Sequence, residues 1–180
     1  MTDRSARLAL NAMVVAVSTV LMFLTGLVPA GSYAIPALAG VPMIFVVMES
    51  GTGWAWAVYS AVTLLSFLIA ADKEAALLFF MLFGCYPILK AVCEKRFRRR
   101  YAVVLKLLFF NVAACAEYFI AVWLLGVPRE SFTVFGVSMP WLFLLLGNLA
   151  FVFYDYALSL LAVQYCRKIR LYIRKWFHFR

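Results

Sequence analysis

Residues 8–71 read LALNAMVVAVSTVLMFLTGLVPAGSYAIPALAGVPMIFVVMESGTGWAWAVYSAVTLLSFLIAA, and Glu49 is the only charged side chain among them. An apolar run of about 20 residues suffices to cross the hydrocarbon core of a bilayer, so this stretch is expected to hold several spans. Its own turn chemistry divides it. Pro29, Gly31 and Ser32 close a first segment, 8–28; a second, 35–48, is short and interrupted by Pro36, Gly40 and Pro42. Gly51 and Gly53 then precede a third, 54–70. Beyond it the pattern repeats: Asp72-Lys73-Glu74 leads into 75–92, and Gly126 and Pro128 close 103–125. The sixth segment, 140–165, opens on Pro140, a residue suited to a first helical turn. The 21 residues of segment 8–28 exceed the roughly 7–15 of a signal-peptide core, so that segment is expected to be a retained helix.

Composition agrees. Of 180 residues, 67% are hydrophobic and 14% charged. A soluble globule holds about 45–50% apolar and about 25% charged residues, so this chain cannot cover its surface with polar groups. The net charge of +9 would suggest nucleic acid in a soluble protein. Here the basic residues sit between apolar runs, where membrane topology and anionic headgroups account for them. With the N-terminus in the cytoplasm, fifteen of the seventeen Lys and Arg fall on the inner side, leaving Lys73 and Arg129 outside. The expectation is therefore an all-α polytopic protein of the inner (plasma) membrane, a six-helix transmembrane bundle with both termini cytoplasmic. Residues 1–166 form that domain and 167–180 a basic cytoplasmic tail. In the tail Ile169, Tyr172, Ile173 and Trp176 recur at helical spacing, with Arg167, Arg170 and Arg174 on another face. An interfacial amphipathic helix and a simple anchor both fit.

Several chemistries are excluded. The four cysteines show no C-x-x-C spacing, and the only histidine is His178, so neither a metal nor a cofactor is expected. The P-loop, H-E-x-x-H and G-x-S-x-G patterns are missing, which argues against an enzyme. Any energy source must come from another subunit.

The informative residues are the polar ones inside the apolar runs. Glu117 and Asp155 each cost about 2.5–3.5 kcal/mol near a helix centre and should face protein or water. Counting about 1.5 Å per residue from the outer ends near Gly126 and Pro140 puts Glu117 and Asn148 at one level. The same count from the inner side pairs Asn111 with Asp155. On one reading the outer rung, with Tyr33, Tyr118 and Trp141 near it by depth, lines a ligand pocket open to the outside. On the other it is interhelical glue within an aromatic belt. Asn111 and Asp155 read as a structural polar pair. In the first segment Ala12-x-x-x-Ala16, with Ala9 one turn earlier, forms a small-residue stripe that permits close helix approach.

The chain resembles the S components, the substrate-binding membrane subunits of energy-coupling factor transporters. The likeness lies in its length, six segments, basic start, Ala12/Ala16 stripe, uncharged loop 29–36 and Pro/Gly-broken second segment. It implies capture of a vitamin-like or other micronutrient on the outer side, in a pocket of the first outer loop and helices four to six. It also implies a transmembrane coupling subunit docked on Ala12 and Ala16, and two ATPase subunits that drive release. Two alternatives stand beside it. One is a non-transporting scaffold of the bacterial rod-shape-determining type, similar in size and topology. The other is an ion- or proton-coupled carrier using Glu117 and Asp155.

Overall fold

The computed structural model describes residues 3–28, 31–123 and 140–169, and among them every regular element is helical. In chain order these are α1 (Asp3–Leu24), α2 (Ala34–Gly40), α3 (Met43–Glu49), α4 (Thr52–Ile69), α5 (Lys73–Leu78), α6 (Tyr86–Arg96), α7 (Arg99–Trp123) and α8 (Pro140–Gln164). A π-turn, Phe79–Phe83, joins α5 to α6 in one continuous rod, and another, Tyr165–Ile169, extends α8. Among the described residues, five helices are long and apolar enough to cross a membrane: Arg4–Leu24, Thr52–Ile69, Lys73–Arg96, Arg100–Trp123 and Leu144–Arg167.

The second apolar segment is helical but shorter, Ala34–Glu49, and Pro42 marks its break. Proline has no N–H to donate, so the chain tightens there, with Val41 N bonded to Leu38 O and Phe45 N to Pro42 O, both at 3.1 Å. The segment runs antiparallel to α1: Ser18 Oγ donates to Ala39 O, and Ser50 Oγ to Asn11 Oδ1, each at 2.9 Å. Gly51 then starts α4 at φ 87°, a left-handed conformation that a side chain would strain.

The apolar segments alternate in direction. At one end Gly26, past α1, lies against Ala71, past α4, and Tyr33 meets Glu74. At the other the Tyr165 hydroxyl donates to Glu49 at 3.2 Å. We call these the Tyr33 end and the Glu49 end.

Two apolar clusters hold the bundle. Met22, Met43, Val46, Val62, Phe79 and Ile88 join α1, α3, α4 and the α5–α6 rod. Leu78, Leu82, Tyr86, Phe110 and Phe151 attach α7 and α8. The π-turn fits both. Gly84 N bonds to Phe79 O rather than Phe80 O, and the released Phe80 carbonyl accepts the Tyr59 hydroxyl at 2.7 Å. Close approach also needs Gly40, where a Cβ would meet the Phe83 carbonyl and stand 2.9 Å from Tyr154 Oη.

The outward surface is hydrocarbon. Leu68 is 78% exposed, Phe153 66% and Trp123 82%. Water would penalise such a surface, whereas acyl chains would not. On α1 Asn11, Val14, Ser18 and Met22 are buried along one helical face, and Ala6 is buried nearer the start of the helix. Ala9, Ala12 and Ala16 lie on the opposite face and are exposed.

Candidate functional site

At the Glu49 end four charges alternate across three helices. Lys90 of α6 pairs with Glu94, one turn on, at 2.9 Å, and with Asp155 of α8. Lys106 of α7 pairs with the same two carboxylates, at 3.0 Å and 2.8 Å. The Tyr86 hydroxyl also donates to Asp155, and Lys90 reaches Ser159 Oγ at 2.7 Å. Both ammonium groups are deeply buried, with side chains 4% and 6% exposed. Two positive and two negative charges leave the cluster neutral, which is how a low-dielectric site tolerates buried ions. A half-open groove of about 550 Å³ between α7 and α8 is lined by Lys106, Asp155 and Ser159 together with Leu107, Phe151 and Val152. It is roomy, but its lysine and carboxylate groups already hold one another.

One rung towards the Tyr33 end, Asn111 and Asn148 exchange two hydrogen bonds, each 2.9 Å. Each amide spends its second N–H on its own helix, on Leu107 O and Leu144 O respectively, both at 2.8 Å. Phe110 stacks on Phe151 beside them, ring centroids 4.6 Å apart. This register corrects both rungs expected from depth. Asn148 pairs with Asn111 and not with Glu117, and Asp155 pairs with lysines and Tyr86 and not with Asn111. The count was out by five to six residues, about 8–9 Å. An amide carries both donor and acceptor, so two amides satisfy each other, whereas a carboxylate only accepts and is drawn to the cations.

Lys90, Lys106 and Tyr86 are the residues the sequence reading missed, the lysines having been counted only as inner-side cations. A signal was present: Lys106 lies inside the apolar run 103–125, and Lys90-x-x-x-Glu94 has ion-pair spacing.

Glu117 therefore stands apart, and it looks elsewhere. It is 5% exposed, and its Oε1 has no hydrogen-bond partner among the described residues. Leu77 and Met81 of the α5–α6 rod pack with Tyr118 and Ala121 of α7, so Glu117 is one turn inward of that contact. Glu74, three residues outward of Leu77, is close enough for its charge to act on Glu117. Tyr33 Oη donates to Glu74 Oε1 at 3.1 Å, and Glu117 is also within electrostatic range of Tyr33. Burial, then the Glu74 carboxylate, holds the Tyr33 phenol well above its ordinary range, so it remains a proton donor at neutral pH. Asp72, in the turn that leads into 75–92, caps α5 by accepting from Glu74 N and Ala75 N at 3.0 Å and 3.1 Å.

Of the expected outer site, the structure joins Tyr33 to Glu74, packs Tyr118 at the contact between the α5–α6 rod and α7 next to Glu117, and pairs Asn148 with Asn111 instead. The Trp141 side chain and nearly all of the tail 167–180 lie outside the described residues. Among the described residues, the fold and site define a helical bundle with five membrane-length apolar helices, a neutral ion cluster at one end and, towards the other, a buried carboxylate with one oxygen unpartnered. Compared with protein families, curated proteins and solved structures, the chain matches none.

Proposed function

We propose that this protein is a membrane-embedded substrate-binding subunit that captures a small, micronutrient-like molecule at its Tyr33 end for an ATP-driven importer of the energy-coupling factor type. The observation that carries the reading is Glu117, a carboxylate taken out of solvent with one oxygen left unpartnered. Buried polar groups are overwhelmingly hydrogen-bonded, and an orphan of this kind marks a place where a missing partner binds. The Glu49 end supports the complementary part. Arg4, Arg7, Lys95, Arg96, Arg98 and Arg100 gather there, which by the positive-inside rule makes it cytoplasmic and the Tyr33 end external. On this reading Ala34–Glu49 is a sixth, bent crossing and both termini are cytoplasmic. The Ala9/Ala12/Ala16 face of α1 is exposed, and its small residues suit a coupling subunit approaching closely.

The test is co-purification. The full chain, expressed in its native membrane and gently extracted, should bring down a transmembrane coupling subunit with two ATPases. Ala12→Leu or Ala16→Leu should abolish that association. Co-purification of cell-shape or wall-assembly proteins instead, with Glu117→Ala silent in every assay, would establish the scaffold reading.

A further inference from the structure

Compare how the two ends of this bundle treat their carboxylates. At the Glu49 end Glu94 and Asp155 each have two lysine partners. At the Tyr33 end Glu117 Oε1 is buried without a hydrogen-bond partner, the charge of Glu74 acts on it, and among the described residues neither carboxylate is in an ion pair. The nearest cation in sequence, Lys73, is already spent: its Nζ donates to Phe67 O at 2.7 Å and Ala70 O at 2.9 Å, closing the C-terminal end of α4. Two like charges in a partly desolvated setting repel, and burying one without a donor is costly. Among the described residues, these two carboxylates lack the lysine partners that Glu94 and Asp155 have at the other end.

We propose that the captured molecule is a small organic cation whose N–H group bonds the free oxygen of Glu117, with Glu74 completing the charge balance. The inference rests on the capture reading above. Two features narrow the class. The Tyr33 hydroxyl donates to Glu74, which holds the ring beside that carboxylate, and the residue is 42% exposed. An aromatic face next to carboxylates favours an ammonium or protonated heterocycle through cation–π attraction. A hard divalent ion is a poorer fit, because no group of three or more His, Cys, Asp or Glu that could hold a metal occurs among the described residues.

The test uses the full chain in detergent and three probes built on one ring: 3-(aminomethyl)pyridine, 3-pyridinemethanol and nicotinate, which are cationic, neutral and anionic at pH 7. Alongside, mass spectrometry identifies any molecule retained through purification. The retained molecule is expected to be a cation, and millimolar 3-(aminomethyl)pyridine should raise the unfolding temperature while the other two do not. Glu117→Gln should cut retention tenfold or more and abolish the probe's effect. The ligand-free variant should elute and unfold like the parent, which separates lost binding from lost folding. Glu74→Gln should weaken retention less. A retained neutral or anionic molecule, or a divalent metal as the only stabilising species, would overturn the cation while leaving capture intact. No retained molecule and no stabilisation by any probe would overturn both.

Discussion

Asn111 and Asn148 exchange a pair of 2.9 Å hydrogen bonds across α7 and α8, and this contact sets the axial register of the two helices. With Phe110 on Phe151 on one side and Lys106 on Asp155 further along, it forms a short ladder. Towards the Glu49 end of it Lys90, Glu94, Lys106 and Asp155 are ionically paired, and Glu117 lies beyond it towards the Tyr33 end.

The amide pair should behave as a unit. Asn111→Ala and Asn148→Ala are expected to destabilise the chain to similar extents, and the double variant by clearly less than their sum. Couplings of this kind between membrane helices average about 0.6 kcal/mol and reach about 1.7. A double-mutant cycle on unfolding in mixed detergent would measure it, and strict additivity would show that the two amides do not interact.

The ion cluster should tolerate balanced changes better than unbalanced ones. Asp155→Asn leaves two buried lysines sharing Glu94, and such a stranded charge costs about 3–5 kcal/mol. Lys106→Met alone should also destabilise. Combining Lys106→Met with Asp155→Asn leaves Lys90 and Glu94 as a matched pair, so the double variant should unfold at a higher temperature than the Asp155→Asn single variant. The opposite order would contradict the charge-balance account.

Glu117 should be shielded from lipid. With its side chain at 5% exposure, a carbodiimide dissolved in the acyl phase should fail to label it in the folded chain and should label it once the bundle is unfolded. Peptide mapping reads this directly, and rapid labelling of the native protein would place the carboxylate on the outside of the bundle.

Close backbone contact makes Gly40 intolerant. A methyl group there meets the Phe83 carbonyl, which cannot swing away as a flexible side chain could, so Gly40→Ala should cost about 1–3 kcal/mol. Ala12→Leu should cost the isolated chain little, within about 0.5 kcal/mol, because its position is exposed. The contrast is measurable as unfolding temperature, and a destabilised Ala12→Leu chain would mean that the stripe serves the bundle itself.

Hydropathy and turn chemistry are local, and what is local was legible in the chain itself. The apolar segments, the Pro42 break, Pro140 at the start of α8 and the polar capping role of Asp72 all follow from neighbouring residues. So does the need for Glu117 to avoid lipid, since the cost of a carboxylate in hydrocarbon belongs to the residue alone. Which groups would meet was decided only by tertiary packing. Helical periodicity specifies the face a residue occupies, but not how far one helix slides along another, and about 8–9 Å of slide is enough to exchange every partner in a polar ladder. Lysine stems add to this: Lys90 and Lys106 start near the membrane boundary and carry their charge to Asp155, a reach that no count of helix levels contains. That packing gave the carboxylates at the Glu49 end their cations and left one oxygen of Glu117 without a partner.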